Sequence, residues 1–544
     1  MAKTLFENGV IYSMEDKDTP RAYDAMIIKG KKILALGDKD TLIRNHKPKK
    51  RIDLKGKTVL PGLFDAHGHF FIQAVYSRLL APLFTRPLGN ITSTEDVIKK
   101  LKSHDATNHP SVIGGFGLDD TKLSEYKLPN RHDLDRVSKN KPVVVVHISN
   151  HLMSLNTKAL EMAGITGDYE APRGSKAYKE EDGHFSGVLE EMGVIFRVFE
   201  KILMPFIKKN KAFNLIAGAS EDYLAKGITT VNEGAGAFNQ LRMYKIAAFL
   251  GKLKTRIIFN KTVGDDLRKD KAVDIKQGTY LGLFKKITMG PMKMFIDGSI
   301  QGYTAHLKKP YFKPHKTRTQ DKDYRGYAAW DMKDYEEKVA FLNAKDRQYA
   351  THGNGDQGIE NIITTEELHP SDARNIIIHS QMASEDHLKR MAKMDMEASF
   401  FPVHTYVWGK PHREQYLGED RAKRLDPLKS AENHGVNYTS HNDAPVTPPD
   451  PFTLVWSAVA RIDEDGNVLG PDQKVSAYHA IRSITANAAR QYYIEDRGIL
   501  KEGNMADFIV IDKDPFNVDE DTLKTITVRK TYFDGKCVFE SENV

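Results

Sequence analysis

Leu60-Pro61-Gly62-Leu63-Phe64-Asp65-Ala66-His67-Gly68-His69 is an apolar run that ends in two histidines spaced i, i+2. Side chains on a strand alternate with period two, so this spacing puts both imidazoles on one face. Gly68 between them adds no bulk. Two convergent neutral imidazoles are the start of a divalent-metal site, with bonds of about 2.0–2.1 Å expected for zinc. Taken alone, His-x-His is a weak signal in a chain with 20 histidines. Its weight depends on what the rest of the chain brings to it.

Upstream of this stretch, short apolar runs alternate with turns. Residues 4–6 lead into Asn8-Gly9 and then 10–14, and 25–28 lead through Gly30-Lys31-Lys32 to 33–36. Runs at this spacing predict a small antiparallel sheet. The last fifty residues have the same texture: Asp-Phe-Ile-Val-Ile at 507–511, then 525–528, 531–533, the Asp534-Gly535 hairpin signal and 538–539. Chain termini often lie close together. The expectation is therefore one composite β-sandwich domain built from residues 1–61 and 490–544.

Between the termini, strands alternate with amphipathic helices. Val-Val-Val-Val-His-Ile at 143–148 reads as a strand buried on both faces. Further strand candidates are 228–231, 293–296, 375–378 and 438–440, with helical periodicity over 212–226, 332–346 and 384–394. Repeated βα units imply a parallel sheet sheathed by helices. The span is long for eight such units, and the excess predicts an insertion within about 70–220. Three more segments place a ligand type close to a strand end: Thr351-His352-Gly353-Asn354, Ile378-His379-Ser380 and Ser440-His441-Asn442-Asp443. In a parallel barrel, residues just past the strand C-termini converge on one face. His67, His69, His352, His379 and Asp443 together form a metal-ligand set.

Composition narrows the function classes. With 544 residues and 40% hydrophobic side chains, the chain can bury a large core, which excludes global disorder. The charge balance of 80 − 73 = +7 is a mild excess without a concentrated basic face, so no nucleic-acid partner is expected. The single cysteine, Cys537, excludes an intramolecular disulfide and any Cys-rich zinc site, and fits a reducing compartment. No signal peptide or membrane-spanning stretch is visible, so a cytoplasmic location and no membrane partner are expected. A homodimer is the default assembly.

The order His-x-His, lysine, histidine, histidine, aspartate resembles the amidohydrolase superfamily of metal-dependent barrel hydrolases. More narrowly it resembles the amidohydrolase family 3 branch, which includes N-substituted formamide deformylase-like proteins. The likeness runs through "ENGVIYSM", "KGKTVLPGLFDAHGH", "ISNHLMSLNTKALEMAGI", "MKMFIDGSIQGYTA", "HGNGDQGIENII", "IIIHSQ", "SHNDAPVTPPDPF" and "GILKEGNMADFIVIDKDPF". It implies an α/β fold class, a (β/α)8 TIM-like barrel over 62–489 carrying the insertion. His67, His69 and Asp443 would bind one metal, and His352 and His379 a second. Lys293 falls where the family carries a lysine carboxylated by CO2, whose carbamate bridges both ions; Glu233 is the rival bridge. The metals would be two zinc ions, with iron or manganese suiting the same donors.

The same resemblance implies a mechanism. A metal pair generates hydroxide near neutral pH and polarises a carbonyl, while Asp443 acts as general base and then acid toward the leaving nitrogen. His151, matching a family position near the substrate, and His404, Tyr406 and Asp297 are the candidates for lining the substrate pocket. Phe116 and Leu118 stand where relatives tend to carry tryptophans, so pocket shape does not carry over. The reading is a hydrolase of an amide or N-formyl/N-acyl amine with a small-molecule substrate. Deamination or cyclic-amide opening on the same site, and a non-catalytic binding protein on this scaffold, are the alternatives.

Overall fold

The computed structural model describes residues 2–541 apart from 173, 208, 316–318 and 320. Eight parallel strands form one sheet in the order Tyr438–Ser440, Glu397–Phe400, Ile376–His379, Tyr349–Gly353, Ile287–Phe295, Arg256–Thr262, Ile228–Gly236 and Leu63–Asp65. Taken in chain order these are barrel strands 1 (Leu63–Asp65) to 8 (Tyr438–Ser440). The cylinder is nearly closed: just beyond strands 1 and 8, the His69 N–H donates to the Ala444 carbonyl at 2.7 Å. Helices flank most units, among them Phe238–Phe249, Met332–Asn343, Asp356–Leu368 and Glu385–Lys393. Between strands 3 and 4 the described residues form only short 3-10 turns instead of a helix.

Alternation along the strands sorts their side chains between two cores. Ile258, Ala350, Ile376 and Ile378 point into the barrel, where Ala488, Ala489, Tyr492 and Ile494 plug its lower end. Ile257, Phe259, Met292, Met294, Tyr349 and Ile377 pack outward in the helix-facing core. On strand 4 this parity sends Met292 and Met294 out, and Lys293 between them in.

The Val143–His147 strand does not join the barrel. It lies in a separate six-stranded sheet, parallel to Ile113–Leu118 and antiparallel to Leu152–Leu155, inserted between barrel strands 1 and 2. Both of its faces are covered, as its sequence predicts: Val144 and Val146 enter the main core, Val143 and Val145 a smaller one.

The chain termini meet in another sheet. Thr58–Pro61 pairs with Phe508–Ile511, which continues through Val528–Phe533 to Lys536–Glu540. A second, four-stranded sheet contains only N-terminal strands, and Phe6, Met26, Val59, Phe508, Val510 and Tyr532 share one cluster between the two. Arg256, at the start of barrel strand 3, ties this region to the barrel. Its buried guanidinium bonds both Asp507 and Asp534 and lies 4.0 Å from the centroid of the Phe533 ring. Removing one partner of a buried ion pair strands the other charges. Arg256→Ala is expected to lower stability by about 3–5 kcal/mol in urea unfolding; a loss below about 1 kcal/mol would show that the two carboxylates find other partners.

Candidate metal centre

The barrel ends as a ring of buried histidines around one aspartate. His67 and His69 follow strand 1, and their Nε2 atoms lie 3.6 and 3.5 Å from Asp443 Oδ1. His379, closing strand 6, has Nε2 3.8 Å from Asp443 Oδ2. His352, on strand 5, stacks edge-on to His379 with 4.5 Å between centroids. The five residues expected from the sequence therefore converge.

Backbone conformation does part of this aiming. On strand 6 the parity of Ile377 would send His379 outward. Its φ of 71° breaks the alternation at that residue, and Asp443 likewise sits at φ 50°. Left-handed backbone at non-glycine residues costs about 1–3 kcal/mol and clusters at functional sites. Gly68 is needed for a different reason: a Cβ there would stand 2.8 Å from Asp65 Oδ2 and 3.4 Å from the Ala444 nitrogen.

Burial sets the protonation states. It holds His67 and His379 well below the usual imidazole range and pushes His69 down to about 3, with the Lys293 charge adding to the effect on each. These rings are neutral and offer lone pairs, the form that binds a cation. Burial raises the Asp443 carboxyl and lowers the Lys293 amine, each partly opposed by the other's charge. Lys293 is fully buried, and its Nζ has no hydrogen-bond partner. Glu233, its sequence rival, is already engaged: its carboxylate accepts from the Tyr244 hydroxyl and, at 3.1 Å, from the Phe71 N–H.

The donor set fits a divalent ion. Ligand atoms about 2.0–2.1 Å from a tetrahedral ion stand roughly 3.3–3.4 Å apart, close to the 3.5 and 3.6 Å found here. His67, His69 and Asp443 would hold one ion; His379 faces the other oxygen of the carboxylate, with His352 stacked beside it. The unpaired Lys293 amine stands among them.

The proposed pocket residues divide. His151 lies 6.0 Å from His352, ring to ring, and its Nδ1 bonds Glu191 at 2.8 Å. Burial lowers its pKa, but Glu191, Asp443 and Asp297 outweigh this and leave it raised. His404 and Tyr406 fall on the helix Val403–Pro411, where residues two apart point about 200° apart. His404 faces His379 at 6.4 Å, whereas Tyr406 turns to Trp456 at 5.0 Å. Asp297 is committed to support: it meets His352 Nδ1 at 3.1 Å and accepts the N–H groups of Asn354, Gly355 and His306. Asp297→Asn is expected to weaken metal binding about 10–100-fold without unfolding the chain, as measured by chelator competition; unchanged affinity would free Asp297 of that role.

Three further residues belong to the site that sequence reasoning left aside. His441 bonds His379 Nδ1 through its Nε2 at 3.2 Å and is itself held by Ser399 at 2.8 Å. Asp65, two residues before His67, is buried; its carboxyl is pushed up to about 8, first by burial and then by Asp443. Its i, i+2 spacing to His67 was the signal available. Glu191 had none, since its partner His151 is forty residues away.

Fold and donor set together define a metal-dependent hydrolase of the barrel type. The amidohydrolase family model matches residues 50–539, so the chain belongs to the amidohydrolase family, in the family 3 branch that its motifs resemble. YtcJ of Bacillus subtilis (strain 168), which carries the word amidohydrolase in its name, is 26% identical over 99% of both chains. N-substituted formamide deformylase of Arthrobacter pascens is 25% identical over 95% of both. An uncharacterized metal-dependent hydrolase from Pyrococcus horikoshii OT3 shares the fold with a TM-score of 0.75, at 24% identity over 96% of this chain and 99% of that one.

Proposed function

We propose that this protein hydrolyses a C–N bond in a small amide, most directly an N-formyl or N-acyl amine, at a two-metal centre. The observation that carries the reading is the Lys293 amine, buried without a hydrogen-bond partner among neutral histidines and Asp443. A lysine that burial makes easier to deprotonate can, as the free amine, add its lone pair to CO2 and lose a proton, which gives an anionic carbamate. An ammonium there would only repel cations. Two zinc ions fit the imidazole and carboxylate donors, as iron or manganese would. Bound divalent ions supply water activation and polarisation of the scissile carbonyl.

The chain's own residues do the rest. Asp443 takes the proton from water at Oδ1 or Oδ2 and returns it to the leaving nitrogen. His151, made more basic by Glu191, donates in its protonated form a hydrogen bond toward the substrate carbonyl. His404 closes the wall beside His379. The Arthrobacter pascens relative is named for removing formyl groups from N-substituted formamides, which makes that class the first to test.

Screening N-formyl amines, N-acyl amines, lactams and amino-heterocycles decides the substrate class. Release of formate or another carboxylate with a free amine supports the proposal; ammonia as the sole nitrogen product would overturn it in favour of deamination. Glu191→Gln gives a further expected result. Without its anion the His151 pKa falls, so the protonated form is lost at lower pH. The alkaline limb of kcat/KM should move to lower pH, and a profile that stays in place would remove His151 from the reaction.

A further inference from the structure

Large apolar side chains stand in water on one patch of the barrel's outer wall. The helix Phe238–Phe249 presents Ile246 and Phe249 near its C-terminal end, and Leu250 follows it. The turn Leu283–Lys285 adds Leu283 and Phe284. Phe249, Leu283 and Phe284 are 68%, 67% and 62% exposed. The two segments are neighbours: a Cβ on Gly282 would stand 3.4 Å from the Lys245 side chain. The turn is also strained, with Phe284 at φ 70° and Lys285 at φ 51°. Two successive non-glycine residues in left-handed backbone cost about 1–3 kcal/mol each, and here that strain holds a phenylalanine out into solvent.

We infer that this patch is the core of a twofold interface with a second copy of this chain. At about 150–250 Å² per aromatic side chain, with the aliphatic ones somewhat smaller, the exposed fractions of these five residues amount to roughly 500 Å² per copy. A stable interface buries about 800 Å² per partner, so the patch supplies the apolar core and the polar rim the remaining third or so. Arg242, Lys245, Lys252 and Lys285 are exposed around it and form the polar rim. A patch of this size lies at the upper end of what a soluble monomer exposes, where such patches are often functional.

The placement leaves catalysis free. The helix Phe238–Phe249 runs back from the C-terminal end of strand 2, and the turn Leu283–Lys285 immediately precedes strand 4. The core of the patch therefore lies toward the rim opposite the metal centre, so a partner docked there does not cover the C-terminal ends of the strands.

Sedimentation velocity of the full chain over a wide concentration range tests this without any substrate, so its outcome is independent of the proposed reaction. The wild type should sediment as a dimer. Phe249→Glu with Phe284→Glu should raise the dimer dissociation constant by at least about 100-fold and leave the metal content unchanged. Hydrogen exchange on the unmodified protein provides a second readout: amides of 243–252 and 280–286 should gain protection as concentration rises. A wild type that stays monomeric, a double variant that stays dimeric, or a monomer that instead co-sediments with phosphatidylserine vesicles would each overturn the inference.

Discussion

Asp443→Asn is expected to lower kcat by about 10³–10⁴-fold while most of the bound metal stays. The substitution suits the site on structural grounds. Asn tolerates left-handed backbone better than other non-glycine residues, and Asp443 sits at φ 50°. Its amide oxygen can still face His67 and His69, but it cannot accept a proton near neutral pH. Steady-state kinetics with the best amide from the screen, set beside metal analysis of the same sample, checks both halves. A kcat within about tenfold of wild type would remove Asp443 as the proton carrier. Loss of metal in step with activity would make it a ligand alone.

Lys293→Ala is expected to be nearly as damaging by a different route. Removing the side chain takes away the buried amine that would become an anionic ligand, and Glu233 is held by Tyr244 and the Phe71 N–H. Barrel-bound metal should fall from about two ions per chain toward one or fewer, and kcat by about 10²–10³-fold. Added formate or acetate, small enough to fill the space of a carbamate, should restore part of both. Wild-type activity should also rise when the metal-depleted protein is reloaded with bicarbonate present. Two ions retained in the variant, or no response to bicarbonate, would show that Lys293 serves only as a buried amine.

Much of this site is legible in the sequence, for identifiable reasons. His67 and His69 both approach Asp443 as their i, i+2 spacing suggests, although they lie just past the end of strand 1, and Lys293 points inward because Met292 and Met294 point outward. Period-two alternation carries that information. It fails at His379, where the chain leaves regular strand geometry, and parity alone would have sent the ring outward. Partners brought together by the insertion, such as Glu191 beside His151, leave no local pattern at all. Tyr406 illustrates a different limit. It is a pocket candidate together with His404, but the two fall on one helix, and their side chains point about 200° apart. The run at 143–148 was read correctly as a doubly buried strand, yet nothing within it says which sheet it joins.

The pairing of Thr58–Pro61 with Phe508–Ile511 bears on how the chain is made. The first of these strands leaves the ribosome with its future partner still unsynthesised. At about 5–20 residues per second, the intervening chain takes roughly 20–90 s to appear. Throughout that interval Val59 and Leu60, fully buried in the finished protein, present an open strand edge to the surroundings. Biosynthesis thus has a built-in waiting period, and the final C-terminal strands act as the closing step that ends it.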